Sequence, residues 1–276
     1  MIASREYVIK KMTELTANAK RKYAQNFLTD EEIAKKAVAA LGEDKNLAII
    51  EIGPGLGALT EVILKEGFSL TAYEIDSLMI DHLKSHFGRY VSFSIVEGDF
   101  LKQNLSVEKE CAAISSIPYN LTTPIIEKVI LSEIPLKYFV FMLQKEAGMR
   151  ITARKENRDY GPLPIFLSYL GKIETVCKVG RDRFIPAPNV DSVILKMTFR
   201  ENRDFDEEKR LYRLLQVSFR MRRKTIANNL NGFLMSREEW QQILTQLSIS
   251  PSKRPEELDL SDYLNILTAL SKKEAR

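Results

Sequence analysis

The sequence is poor in the groups that cross-link a chain, hold a metal or anchor it in a bilayer. Cys111 and Cys177 are the only cysteines, each inside an apolar, strand-like run, so both read as buried thiols and a disulfide framework or thiolate metal cluster is excluded. His82 and His86 stand one helical turn apart, but no further cysteine or histidine could complete a site, so ordinary surface histidines and no metal are expected. The longest uncharged apolar stretch, around Tyr138 to Leu143, falls far short of the ~20 residues that span a bilayer. The N-terminal residues carry charge where a signal peptide would be apolar, so no membrane partner and a cytoplasmic location are expected. Internal repeats and low-complexity tracts are absent. An excess of one charge is missing too: 41 Lys+Arg against 37 Asp+Glu give a net charge of +4, too mild to indicate a nucleic-acid partner by itself.

What is present is enough for one sizeable core and a small appended domain, since 45% of the 276 residues are hydrophobic. Positive charge gathers in residues 1–25, a basic arm with Arg5, Lys10, Lys11, Lys20, Arg21 and Lys22 against Glu6 and Glu14. Val8, Ile9, Met12 and Leu15 recur there at helical spacing, which predicts an amphipathic helix that either faces solvent or binds phosphate. Thr29 followed by Glu32 reads as a capping box opening a helix to about Leu41, with Gln25-Asn26-Phe27-Leu28 just before it. Apolar runs at 47–52, 70–75, 91–96, 112–117 and 138–143 alternate with helical patterns at 58–65, 77–87 and 124–131, the last opened by Thr123 and Pro124. That alternation predicts an α/β, doubly wound, mostly parallel sheet with ligands at the strand C-termini. Runs at 173–179 and 193–199 would complete it, with an antiparallel edge. Eight of the ten residues 201–210 are charged and mark a boundary. Beyond it, helical patterns at 211–219 and 225–235, a Ser236 and Glu239 capping box and a last helix from Ser261 predict a small all-helical C-terminal domain.

The chemistry is expected at the strand ends. Gly53-Pro54-Gly55-Leu56-Gly57 lets backbone approach a ligand and aims helix N-terminal amides at it. Gly53, Gly55 and Ala58 also fit a dinucleotide fingerprint, and Glu74 lies at the spacing where an acid takes ribose hydroxyls in either cofactor class, so an NAD enzyme is a rival. Asp99 after the third strand can accept from a cofactor adenine amino group. Ser116-Ile117-Pro118-Tyr119 after the fourth can offer a backbone carbonyl and an aromatic face to a substrate base. Taken singly, each acid could instead be a helix cap or a surface residue.

At these residues the chain resembles the ribosomal RNA adenine N6,N6-dimethyltransferase family, nearest its small-subunit (16S-type) branch. The likeness runs through Gln25 to Leu28, Glu51 to Gly57, Glu74 to Asp76, Gly98-Asp99 and Ser116 to Tyr119. It continues through Met142 to Glu146, Tyr160-Gly161, Phe184 to Ser192, Arg222 to Thr225, Asn228 to Leu230 and Arg254 to Leu258. The large-subunit branch resembles the first half equally; Gln144 to Glu146 and Arg222 to Thr225 are nearer the small-subunit one. The resemblance implies a Rossmann-like S-adenosylmethionine-dependent methyltransferase sheet. It implies that Asn26, Leu28, Gly53 and Gly55 surround the methionine part of the cofactor, Glu74 its ribose and Asp99 its adenine, with Ser116 also beside it.

Methyl transfer from a sulfonium needs an in-line nucleophile rather than a metal. Because the adenine N6 lone pair is delocalised, acceptors must draw its two hydrogens out of plane and favour the charge that develops. In the resembled family these are an asparagine side chain and the proline carbonyl; here they would be Ser116 and Pro118, with Ile117 between them, Tyr119 stacking on the base and Phe184 covering its other face. Serine departs from the family pattern, and its hydroxyl is a shorter acceptor than an amide. A catalytically weakened or inactive RNA-binding ribosome-assembly factor is therefore the alternative, followed by a large-subunit rRNA methyltransferase and a small-molecule methyltransferase. RNA contacts are expected from Lys20, Arg21 and Lys22, and from Arg220, Arg222, Arg223 and Lys224. Further basic groups are Arg150, Arg154, Lys155 and Arg158, and Lys178, Arg181 and Arg183. The expected organisation is a basic arm at 1–25, a methyltransferase domain at 26–200 and a helical RNA-binding domain at 201–276, acting as a monomer on ribosomal RNA in a small-subunit assembly.

Overall fold

The computed structural model describes residues 1–16, 26–155 and 157–274. In chain order the first elements are α1 (Arg5–Thr16), β1 (Phe27–Leu28), α2 (Glu31–Ala39), β2 (Ala48–Ile52), α3 (Ala58–Lys65), β3 (Ser69–Glu74), α4 (Ser77–Phe87), β4 (Phe93–Glu97), β5 (Cys111–Ser116), α5 (Thr122–Ile130) and β6 (Leu136–Gln144). Then come α6 (Lys145–Ile151), α7 (Pro162–Leu170), β7 (Gly171–Val179), β8 (Phe184–Ile185), β9 (Ser192–Phe199), α8 (Phe205–Ser218), α9 (Ile226–Leu230), α10 (Arg237–Gln246) and α11 (Leu260–Glu274).

The chain forms two compact units, one of Met1–Gly148 with Ile173–Phe199, the other of Met149–Lys172 with Arg200–Arg276. This differs from a single boundary near residue 200, because 149–172 joins the second unit. In the first unit a seven-stranded sheet runs β4-β3-β2-β5-β6-β9-β7. Strands β2 to β6 pair in parallel and β9 lies antiparallel to β6, as the alternation predicts. Because β3 lies on one side of β2 and β5 on the other, the strand order reverses there, and in such sheets a crevice opens at the strand C-termini. Ile49 and Ile63 are buried beside Phe68 and Leu83, so α3 and α4 bury their apolar stripes on the central strands.

Several local expectations change. Asp30, not Thr29, caps α2, accepting from the Ile33 amide at 3.1 Å. The Thr29 hydroxyl donates instead to the Arg183 carbonyl at 3.0 Å. Helix α5 begins at Thr122, ahead of the expected Thr123 cap, and the Thr122 hydroxyl donates to the Tyr119 carbonyl. Much of the charged run at 201–210 is helical, since Asp204 caps α8 by accepting from the Asp206 and Glu207 amides. Helix α9 is shorter than the pattern at 225–235. The Ser236 and Glu239 capping box is formed. Cys111 is buried but Cys177 only half-buried, because it lies on β7, the last strand of the sheet. No helix among the described residues is long and apolar enough to cross a membrane.

Candidate active site

The glycine turn leaves β2 at its C-terminal end, with Gly53, Gly55 and Gly57 at φ 68°, 56° and 90°. Their positive φ values favour glycine, but their surroundings differ. A Cβ on Gly53 would meet nothing within 4 Å, one on Gly55 would lie 3.2 Å from the Phe27 ring, and one on Gly57 would lie 2.7 Å from Phe87. Gly53 therefore faces open space while Gly57 is fixed by packing. At the end of β3, buried Glu74 accepts from the amides of Gly55 (3.1 Å), Ile75 (2.9 Å) and Asp76 (3.0 Å). Burial pushes its carboxyl above the usual range, against the pull of those three amides. Glu51, inside β2, is buried and accepts from the Thr60 hydroxyl at 2.6 Å. Burial pushes it up to about 8, helped by the charge of Glu74 and opposed by the Thr60 bond.

Asp99 follows β4 and caps the short turn Phe100–Lys102, its Oδ1 accepting from the Leu101 amide at 3.0 Å. It nevertheless lines the cavity, so a capping role and a cavity position coexist. Strand β5 ends in two serines with different duties. The Ser115 hydroxyl donates to the Ile52 carbonyl at 2.8 Å, tying β5 to β2, while Ser116 borders the cavity. The Ile117 amide donates to the Met142 carbonyl at 2.9 Å. The Pro118 carbonyl, expected as a base acceptor, accepts from the Leu121 amide at 2.9 Å and closes the turn. The Tyr119 hydroxyl lies 3.4 Å from the Ser192 hydroxyl.

Strands β1 and β8 pair antiparallel, with Leu28 opposite Phe184 and Phe27 opposite Ile185. This short clasp, reinforced by an Arg183–Asp30 ion pair at 2.8 Å, brings two distant segments to the same cavity. That cavity, of about 280 Å³, is bordered by Asn26, Leu28, Gly53, Gly55, Glu74, Asp99, Ser116, Ile117, Pro118, Tyr119 and Phe184, together with Glu51 and Asn120. All the described residues expected to hold cofactor or base thus come together. Its lining holds the acids Glu51, Glu74 and Asp99 and no Lys, Arg or His among the described residues. Glu51 is an addition to the expected site residues; its signals in the sequence are a carboxylate inside an apolar strand and its place at the start of the Glu51 to Gly57 segment.

Ile2 and Val8 also border the cavity. The Ile2 amide donates to Glu61 at 2.6 Å, and the Tyr7 hydroxyl lies 2.9 Å from His86 Nε2. His82 is buried rather than on the surface, its Nε2 lying 3.2 Å from the Leu56 carbonyl of the glycine turn. Burial, aided by the charge of His86, depresses its pKa to about 4. Among the basic groups, Arg220, Arg222, Arg223 and Lys224 lie exposed in the second unit on the turn between α8 and α9. Arg150, Arg154, Lys155 and Arg158 belong to the same unit, and Lys178, Arg181 and Arg183 to the first. Lys20, Arg21, Lys22 and Gln25 lie outside the described residues.

The reversed strand order, the glycine turn and the cavity at the strand ends define a Rossmann-like methyltransferase sheet, followed by a helical C-terminal region. The family model described as "Ribosomal RNA adenine dimethylase" matches residues 16–272. A "Ribosomal RNA small subunit methyltransferase A" of Lactococcus lactis subsp. lactis (strain IL1403) is 38% identical over 265 residues, 92% of this chain and 90% of the relative. A solved dimethyladenosine transferase from Plasmodium falciparum superposes with a TM-score of 0.75 at 27% identity, covering 90% of this chain and 98% of that one. The 23S rRNA methyltransferase ErmE shares the fold at a TM-score of 0.65 and 23% identity, over 89% of this chain and all of that one (100%). The chain belongs to the ribosomal RNA adenine dimethylase family.

Proposed function

We propose that this protein transfers methyl groups, two per base, from S-adenosylmethionine to adenine N6 in small-subunit ribosomal RNA. The observation that carries the reading is the lining of the cavity: three acids and no base among its described residues. A sulfonium and an ammonium draw such carboxyls into their charged form, including Glu51, which burial keeps protonated in the free protein, whereas a pyrophosphate would find no cation there, which argues against a dinucleotide in the same turn. Small-subunit RNA is favoured by the relative at 38% identity.

When bound, S-adenosylmethionine supplies an activated methyl on sulfur with a neutral leaving group. Asn26, Leu28, Gly53 and Gly55 border its methionine part, Glu74 takes ribose hydroxyls and Asp99 the adenine amino group. Tyr119 stacks on the target base and Phe184 covers its other face. The acceptors for the N6 hydrogens are the Ser116 hydroxyl and a backbone carbonyl of the Ile117-Pro118 pair, the Pro118 oxygen keeping a second lone pair beside its bond from the Leu121 amide. They localise the nitrogen lone pair and favour the positive charge that develops on nitrogen during methylation. Lys20, Arg21, Lys22 and the exposed basic turn Arg220 to Lys224 bind RNA phosphates.

Ser116 favours one second reading, an RNA-binding assembly factor with little or no catalysis. Labelled methyl transfer to undermethylated small ribosomal subunits, with this chain and a Ser116→Asn variant, separates the two. Dimethyladenine from the present chain is the expected result. Product from the variant alone would make this chain an impaired member, and none from either would put the assembly factor first.

A further inference from the structure

The basic turn between α8 and α9 lies outside regular helix and strand, yet four basic side chains are exposed on it. What holds it is Asn229, a polar residue with 0% exposure on α9. Its Oδ1 accepts from the Met221 amide at 2.8 Å. Its Nδ2 donates to the carbonyls of Met221 (3.1 Å), Lys224 (3.3 Å) and Thr225 (3.2 Å), two hydrogens shared among three acceptors. One side chain thus grips both ends of the turn, satisfying polar backbone atoms that would otherwise be costly to leave unpaired. The Lys224 amide adds a bond to the Met221 carbonyl at 2.8 Å, and Arg222 reaches back to the carbonyls of Arg158 and Tyr160.

An exposed cluster of cations on an unbraced loop would lose conformational freedom on meeting an RNA backbone, and that loss would subtract from affinity. Here the ordering is already done from beneath. We infer that Asn229 is a positioning residue for RNA: without touching the nucleic acid, it holds the backbone of Arg220 to Lys224 in the arrangement that meets several phosphates at once. The inference rests on the reading of that turn as an RNA contact.

The test uses the full chain and undermethylated small ribosomal subunits, comparing Asn229→Asp, which keeps the acceptor but loses both donors, with Asn229→Ala and with the exposed Arg223→Ala. Fluorescence of Trp240, the only tryptophan and a buried residue of the same unit, verifies that each variant is folded. Folded Asn229 variants should bind the subunits about tenfold more weakly, with the slope of log affinity against log salt reduced by about 0.7–0.9 for each phosphate no longer neutralised. KM for the subunit should rise while kcat and S-adenosylmethionine affinity stay unchanged. Arg223→Ala should weaken binding in the wild-type background and much less beside Asn229→Asp. If Arg223→Ala has no effect on binding in either background, the turn is not an RNA contact and the premise fails. If Arg223→Ala weakens binding but folded Asn229 variants keep full affinity and salt slope, the turn binds RNA and Asn229 is merely structural. Should the variants not fold, exchange of the Asn229 side-chain amide protons in the wild type decides. Slow exchange already in the free protein, little changed by RNA, is expected; fast exchange that slows only on RNA binding would show that RNA rather than Asn229 orders the turn and overturns the proposal.

Discussion

Gly53 and Gly57 share a backbone conformation but should fail differently when each is replaced by alanine. Both residues take positive φ, so a Cβ costs about 1–2 kcal/mol in the left-handed region, offset by about 0.4–1 kcal/mol from the stiffer unfolded chain. For Gly53→Ala little else changes in the unliganded protein, because its Cβ would find nothing within 4 Å, and the expected loss of stability is about 1 kcal/mol. For Gly57→Ala the Cβ would sit 2.7 Å from Phe87 and 3.1 Å from Leu83, both buried. Overpacking adds about 1–3 kcal/mol, giving a total of about 2–4 kcal/mol. Binding should follow the opposite order. The Gly53 Cβ intrudes on the cavity and should weaken S-adenosylmethionine at least tenfold, whereas folded Gly57→Ala should bind within a few-fold of wild type. Urea unfolding followed by circular dichroism, with calorimetric titration of the cofactor, gives both numbers. Wild-type affinity in folded Gly53→Ala would refute the assignment of that glycine to the ligand face.

Two further outcomes follow from buried charges. Glu51 is held up to about 8, above its unfolded value, so its contribution to stability is full below about pH 4.5 and is lost as pH rises toward 8. Stability of Glu51→Gln relative to wild type should therefore increase across that window by about 2–4 kcal/mol, and a difference independent of pH would mean that Glu51 is ionised in the free protein. In the second unit, Glu208 accepts from Arg203 at 2.7, 3.0 and 3.2 Å, with both side chains at most 5% exposed. Glu208→Ala should cost about 3–5 kcal/mol and the paired Arg203→Met, Glu208→Leu change much less; equal losses in urea melts would show that packing, not the stranded charge, sets the penalty.

The parts of the fold that announce themselves are those with a contrast to read. Strands β2, β3 and β5 are apolar runs closed by glycine, an acid or a serine loop, and the cavity residues sit at those closures. Helix α7 has no such contrast. Ile165, Phe166, Leu167, Tyr169 and Leu170 are all buried, so its apolar residues wrap around it and no 3.6-residue stripe appears. The clasp of β1 with β8 is invisible for another reason: two-residue strands carry no alternation, and their pairing joins Leu28 to Phe184, residues far apart in the sequence. His82 reads as exposed because Tyr7, its neighbour across 75 positions, leaves no trace in the local pattern. Pro118 and Ile117 show the same limit at the site: the spacing identifies the loop, but only the Leu121 bond tells which carbonyl is engaged.

The second unit's two-part construction has a consequence for how the protein is made. Helix α7 leaves the ribosome before its partners α8 and α11, while the intervening chain supplies β7, β8 and β9. Phe166, whose ring lies 4.7 Å from that of Tyr212, must wait for the later segment with its apolar surface uncovered. Synthesis therefore passes through an interval in which the buried residues of α7 lack the α8 and α11 surfaces that they pack against. A chaperone, or a pause in translation, has its greatest effect in the stretch between Gly171 and Tyr212.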